Sequence, residues 1–386
     1  MYLDAAATTK PDTEVIKSML PYMQTMWHNP SSLYKPAKEV KEIIEKSRKT
    51  VADFICANQN EVYFTSGGSE SNCWAIQGFI QNRICKGRVP SIITTTIEHK
   101  SILSCLEGNH VDVHYVNVDK EGYVNLKNLE DILKYVASQT DSGDDILVSV
   151  QFANNEIGTI QHIKDIANII HKYGAVFHTD AVQAFGQVDI DVELMQIDML
   201  SASGHKIGMV KGSGILYKKN SVEINPLIYG SQENGMRGGT ENVPYIIGFA
   251  KAVQIVQKNH KLDINMTIWR DNFISQLQAI GCVVNGSLKD RLPNNINVTF
   301  PQKATGEALI YMMDMSDIQI SAGSACNSHS QSVSHVLQAI GLSEDEALRT
   351  IRITLPNDTP YQERDEVIKK FISEFKKQMI LLDISK

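Results

Sequence analysis

Asp145-Ile-Leu-Val-Ser-Val-Gln-Phe152 is nearly continuous in apolar residues and stops at the polar run Asn154-Asn155-Glu156. A strand without alternation is buried on both faces, the habit of strands inside a parallel sheet. The same arrangement recurs on both sides of it. Val62-Tyr-Phe64 runs into Gly67-Gly68-Ser69 and a helix to about Ile84. Ser91 to Thr96 ends at Glu98-His99-Lys100, with a helix over 101–107, and Val111 to Val116 leads to a helix over Leu126 to Ser138. Beyond a helix over 162–173, Ala175 to Thr179 ends at Asp180-Ala-Val-Gln183. Asp198-Met-Leu-Ser-Ala then delivers Ser203-Gly204-His205-Lys206. This alternation predicts an α/β fold: a mostly parallel mixed sheet with helices on both faces. Ligands of such sheets sit beyond the carboxyl ends of the strands. Gly67 to Ser69, His99, Asn155, Asp180 and Ser203 to Lys206 all fall at predicted strand ends, so one edge carries the chemistry.

The flanks read differently. Tyr2-Leu-Asp4-Ala-Ala-Ala-Thr8-Thr9 is extended, and helices follow over Thr13 to Met23 and Ala37 to Asn58. The second has Val40, Ile43, Ile44, Val51, Phe54 and Ile55 on one stripe. After the hairpin Gly212 to Tyr217 come a Gly-rich loop, Tyr229 to Thr240, and helices over Val243 to Asn259 and 262–280. The rest has an α+β pattern. Strands are expected at Cys282 to Val284, Asn295 to Phe300, Ile318 to Ile320 and Thr350 to Leu355. Helices are expected over 306–315, Val333 to Ile340 and Tyr361 to Leu382. The reading is a large domain over 13–250 and a smaller α+β C-terminal domain over 251–386, with residues 1–12 packing near the small domain and the site.

Composition narrows the function. The chain has 386 residues, a net charge of −7 and no basic run, so nucleic acid is not an expected partner. No apolar stretch approaches the ~20 residues of a membrane span, and Met1-Tyr-Leu-Asp4 lacks the features of a signal peptide. The 6 cysteines (56, 73, 85, 105, 282, 326) show no metal-type spacing, so no metal site is expected. They read as reduced thiols in a cytoplasmic protein.

A lysine on rigid backbone, flanked by hydroxyl and imidazole donors, suits the Schiff base of pyridoxal phosphate (PLP). Lys206 has that setting. Gly67-Gly68-Ser69 offers helix N-terminal amides to a phosphate, or is a plain cap. Asp180 suits a pyridinium N–H, or caps a following helix. His99 suits the ring face or proton transfer. Asn155 and Gln183 are donors for a ring oxygen, and Arg352 for a two-point carboxylate contact. Cys326 lies in Ser321-Ala-Gly-Ser-Ala-Cys326-Asn-Ser-His329-Ser, with no apolar anchor before Val333. Such a loop is expected to be mobile and its thiol exposed, with a pKa of about 8.5.

Taken in order, eight motifs resemble the cysteine desulfurases of the nitrogen-fixation and iron–sulfur-assembly type, within the class V aminotransferase family. They are Tyr2 to Thr9, Phe64-Thr-Ser-Gly67, Glu98-His99-Lys100, Asn154 to Gly158, His178 to Gln183, Ser203 to Lys206, Gly235 to Thr240 and Ser321 to Cys326. The resemblance covers residues 2 to about 355. It implies a homodimeric PLP-dependent transferase of fold type I. Lys206 would carry the Schiff base, and Gly68, Ser69, Ser203 and His205 would hold the phosphate, with Thr240 entering from the partner subunit. Asn155 and Gln183 would contact the ring oxygen, Asp180 the ring nitrogen and His99 the ring face. Arg352, with Asn155, would bind the substrate carboxylate. L-Cysteine would yield L-alanine, its sulfur passing to Cys326 as a persulfide bound for an acceptor protein, as in iron–sulfur cluster assembly or tRNA thiolation.

The chain departs from that pattern in places. The family usually has His where Tyr34 stands, and Tyr-Gly-Pro at Gly208-Met209-Val210. It usually has Glu-Pro at Ser332-Val333 and Gly-Arg at Pro356-Asn357. None of these removes a proposed catalytic group. A selenocysteine lyase, another class V aminotransferase, or a non-catalytic paralogue remains an alternative reading.

Overall fold

The computed structural model describes residues 1–108, 111–260, 265–301, 304–322 and 333–384. Helices α1 (Thr13–Gln24) and α2 (Lys35–Phe54) precede the first strand. Asp12 caps α1 by accepting from the Glu14 amide at 2.7 Å. Then come β1 (Val62–Thr65), α3 (Gly68–Cys85), β2 (Ser91–Thr95), α4 (Lys100–Glu107), β3 (Asp112–Val116), α5 (Leu126–Ala137), β4 (Ile146–Ser149), α6 (Ile163–Lys172), β5 (Val176–Asp180), β6 (Met199–Ser203) and β7 (Gly214–Lys218).

These strands form one seven-stranded sheet in the order β1-β7-β6-β5-β4-β2-β3. The expected mostly parallel mixed sheet is present. β3, β2, β4, β5 and β6 are mutually parallel, and β7 runs against both β6 and β1. Burial on both faces is explicit in alternate residues. Ile93, Val148, Phe177, Leu200 and Ile215 join one core with α1, α2, α5, α6 and α7 (Val243–His260). Their neighbours Ile92, Leu147, Val176, Met199 and Leu216 join another core with Trp74, Phe79 and Ile102 of α3 and α4.

The remaining elements are α8 (Asn265–Gln278), β8 (Val283–Val284), β9 (Asn295–Thr299), α9 (Gly306–Asp314), β10 (Ser321–Ala322), α10 (His335–Ala339), α11 (Glu344–Leu348), β11 (Thr350–Thr354) and α12 (Arg364–Ile384). A second sheet, β10-β11-β9-β8, is antiparallel throughout. Its apolar positions, Ile296, Val298, Ile351 and Ile353, share a core with Trp269, Phe273, Phe371 and Phe375. The alternate positions Asn295, Asn297, Thr350, Arg352 and Thr354 are polar and buried, and belong to its other face.

Several expectations are corrected here. Ile318 to Ile320 is not a strand: Gln319 bridges Tyr2, and the strand proper is Ser321–Ala322. The N-terminal segment occupies the pairing edge, with the Leu3 amide donating to the Gln319 carbonyl at 2.9 Å. The last helix begins at Arg364 after a 3₁₀ turn over Tyr361–Glu363, and the one expected from Val333 is the short α10 capped by Ser334. Helix α11 was not expected. Its signal was Ser343-Glu-Asp-Glu346, a capping box in which Ser343 and Glu346 satisfy each other's amides.

Candidate active site

The site is assembled where the two sheets face each other, and the N-terminal segment joins them. The Ala5 amide donates to the Thr354 carbonyl on β11 at 3.2 Å, and the Thr9 amide to the His205 carbonyl after β6 at 2.9 Å. Between these ties, the Ala6 and Ala7 carbonyls both accept from Lys206 Nζ, the latter at 2.9 Å. Gln183 Nε2 donates to the same Ala6 carbonyl at 3.1 Å. Lys206 and Gln183, from different strand ends, therefore meet at one point. The Gly208 amide donates to Thr9 Oγ1 at 2.8 Å, which closes the turn behind Lys206.

Asp180 ends β5 and is buried. No helix follows it, so the helix-cap reading is set aside. Its Oδ1 accepts from the Val182 amide at 2.9 Å and its Oδ2 from Asn72 Nδ2 at 2.7 Å. Asn72, on the first turns of α3, also donates to Ser101 Oγ at 3.0 Å. Ser101 Oγ stands 2.8 Å from His99 Nδ1, and the Ser101 amide donates to the same nitrogen at 3.1 Å. His99 thus caps α4 as an acceptor at Nδ1, which leaves the proton of the neutral ring on Nε2. Asn72 and Ser101, which the sequence reading passed over, connect the aspartate to the histidine.

Beside them is a seat for an anion. The first amides of α3 have no intrahelical acceptor. Gly68 packs against Ser203 and Val182, and a Cβ at residue 68 would lie 2.5 Å from Val182 Cγ2. Ser69 follows Gly68 in the same turn, and His205, two residues after Ser203, has Nδ1 3.2 Å from Thr8 Oγ1. Burial, with Lys206 and Lys211 near, pushes the His205 imidazole down to about 4. It is neutral at pH 7 and offers an N–H rather than a charge. Thr240 is exposed on a loop beside Thr65, Ser66 and Gly214. That loop is tied to the first turn of α3 by Arg237 Nε to Glu70 Oε1 at 2.9 Å.

Arg352 is 2% exposed. It sits on the polar face of β11 because isoleucines flank it on the apolar face. Nη1 donates to the Asn155 carbonyl at 3.0 Å, and Nη2 pairs with Asp4 Oδ1 at 2.9 Å. Its buried Nε has no hydrogen-bond partner among the described residues, an unused donor of the kind a carboxylate satisfies. Cys326 lies outside the described residues, as do His329 and Ser332. Gly208-Met209-Val210 keeps the site intact. Gly208 takes φ +81°, which glycine tolerates, and Met209 is fully buried in the core near Met19 and Gly248.

Glu98, beside His99, is completely buried. Burial pushes its carboxyl up to about 8, against donors from Thr95 Oγ1 at 2.6 Å and the Gln151 amide at 3.0 Å. Among the described residues its Oε2 has no hydrogen-bond partner. The folded chain keeps this proton to about pH 8, whereas the unfolded chain releases it near 4.5. Between those values the folded state binds more protons, so this group erodes stability as pH rises. Glu98→Gln is expected to raise Tm by a few degrees at about pH 8.5, the gain shrinking toward about pH 5. Thermal melts at both pH values check this; a gain independent of pH contradicts it.

The groups at this edge are a lysine, a carboxylate, an imidazole, a helix N-terminus with hydroxyl and imidazole donors, and a buried guanidinium. That donor set fits PLP: a phosphate seat, a partner for a ring N–H, and an amine. Among the described residues no cluster suits a metal ion.

The comparisons agree with this geometry. The family model "Aminotransferase class-V" matches residues 1–367. The cysteine desulfurase IscS of Methanosarcina thermophila is 43% identical over 376 residues, covering 96% of this chain and 90% of that protein. A solved structure titled NifS-like protein superposes with a TM-score of 0.86 at 33% identity, over 97% of this chain and 98% of that one. Another, titled SspA in complex with cysteine, gives a TM-score of 0.79 at 36% identity, over 92% of this chain and 99% of that one. The lysine at its strand end, the anion seat and the matched length lead to one conclusion: this chain belongs to the class V aminotransferase family.

Proposed function

We infer that this chain is a cysteine desulfurase that uses PLP to convert L-cysteine to L-alanine, with the sulfur passing to Cys326. The observation that carries the reading is Lys206 Nζ held with Gln183 on the Ala6 carbonyl, beside the linked Asp180–Asn72–Ser101–His99 set. When bound, PLP supplies an electron sink for the charge left at the substrate Cα. The protein does the rest. The α3 amides of Gly68 and Ser69, with Ser203 and His205, bind the phosphate; Thr240 of a second copy completes the seat in a homodimer. Asp180 holds the ring N–H, and Asn72 holds Asp180. His99, which caps α4 in one tautomer, would lie against the ring face. Asn155 and Gln183 orient the ring oxygen.

Arg352 binds the substrate carboxylate with its fork, and Asn155 supports it. Lys206 Nζ moves the proton at the substrate Cα. The Cys326 thiolate accepts the sulfur and hands it to an acceptor protein. Apolar side chains of α7 as far as Val256 pack on the large core and those of α8, from Met266, on the second, so we place the domain division after α7, some residues beyond the expected 250. No helix among the described residues is long and apolar enough to cross a membrane, and a cytoplasmic setting fits reduced thiols.

Incubating the purified protein with L-cysteine and a thiol reductant is expected to give alanine and sulfide in equal amounts without added 2-oxo acid. A strict requirement for a 2-oxo acid would instead make it a transaminase. Asn72→Ala removes a hydrogen bond to a charged group, worth about 1.5–3 kcal/mol. It is expected to lower kcat/KM for L-cysteine by about tenfold to a hundredfold. Steady-state kinetics check this, and an unchanged value contradicts the role given to Asn72.

A further inference from the structure

Two cysteines outside the reaction just described face each other across the α3–α4 contact. Cys105 donates its S–H to Cys73 Sγ, with the sulfurs 3.4 Å apart, although the residues are 32 positions apart in sequence. Both are half-buried, whereas Cys56 and Cys85 are exposed and Cys282 is buried. Cys73 follows Asn72, and Cys105 lies one turn beyond Ser101, so the thiols repeat the Asn72–Ser101 bridge one step further from the site. A disulfide bond is about 2.05 Å, so closure asks the sulfurs to approach by about 1.3 Å.

We propose that Cys73 and Cys105 form a dithiol modification site that closes to an intrachain disulfide by exchange with a low-molecular-weight disulfide. The roles follow from the hydrogen bond. The S–H of Cys105 points at Cys73, which favours a thiolate on Cys73 and lowers its pKa. The same contact raises the pKa of Cys105. Cys73 therefore attacks first. Its sulfur bonds to one sulfur of the external disulfide, and the other sulfur leaves as a thiolate. Cys105 then gives up its proton to solvent and attacks Cys73 Sγ, releasing the second external thiolate. The external disulfide is reduced to two thiols, and the two cysteines are oxidised to one disulfide. The product ties α3, whose first turn forms the anion seat, to α4, which His99 begins.

The test uses the full-length holoenzyme carrying Cys326→Ala, which removes the thiol proposed to accept the sulfur. It is exposed to glutathione disulfide and digested without reduction. The expected result is a linked Cys73–Cys105 peptide, reversed by dithiothreitol, with only glutathione adducts at Cys56 and Cys85. Cys105→Ser is expected to trap the adduct on Cys73, while Cys73→Ser leaves Cys105 without one. Adducts at Cys56 and Cys85 with no Cys73–Cys105 link would overturn the proposal, as would an adduct on Cys105 in Cys73→Ser. The linkage map of the chain with Cys73 and Cys105 intact decides the matter even where a serine variant fails to fold.

Discussion

Lys206→Ala is expected to abolish alanine formation from L-cysteine, a loss of about 10³-fold or more, because the variant lacks the base that moves the Cα proton. Two neighbouring groups among the described residues are poor substitutes. His205 is neutral, with its Nδ1 turned to Thr8, and Asp180 is engaged by Asn72 and Val182. The lesion should be local. The Ala6 and Ala7 carbonyls that accept from Lys206 Nζ lie in a segment that Thr9 still ties to the His205 carbonyl. Tm is therefore expected to stay within a few degrees. Alanine production assayed beside a thermal melt separates loss of chemistry from loss of fold. A variant that keeps a tenth of the rate would remove Lys206 from its assigned role.

Cys326→Ala is expected to end persulfide formation and lower sulfide release by about 10²-fold or more, since the nucleophile that takes the sulfur is gone. Binding should survive, because the groups assigned to the cofactor and the carboxylate lie on α3, β5, β6 and β11 and the segments beside them. The visible absorbance of the bound cofactor should match that of the native chain. Persulfide labelling followed by mass spectrometry checks the modified residue. Full sulfide output from Cys326→Ala would exclude it as the acceptor.

The strand ends were legible because each apolar run stops abruptly at a polar cluster. Phe152 before Asn154, Thr179 before Asp180 and Ala202 before Ser203 mark one edge without any knowledge of strand order. The order itself was not legible. β1 pairs with β7 rather than β2, because the hairpin places β7 on the flank of β6 and β1 adds beyond it. The connections within the site were hidden for the same reason. Asn72 reaches Asp180 across 108 positions, and Arg352 reaches Asp4 across 348. Glu98 reads as an ordinary polar residue after a strand; its contacts with Thr95 and the distant Gln151 amide show that it is sealed from solvent. The Gly208-Met209-Val210 departure is absorbed by packing, with Met209 serving as core.

The most direct measurement reduces the purified, coloured protein with borohydride, digests it and locates the cofactor-bearing peptide by mass spectrometry. The account predicts the pyridoxyl group on Lys206 and on no other lysine. A label on another lysine, or none on a protein with visible absorbance, would contradict it.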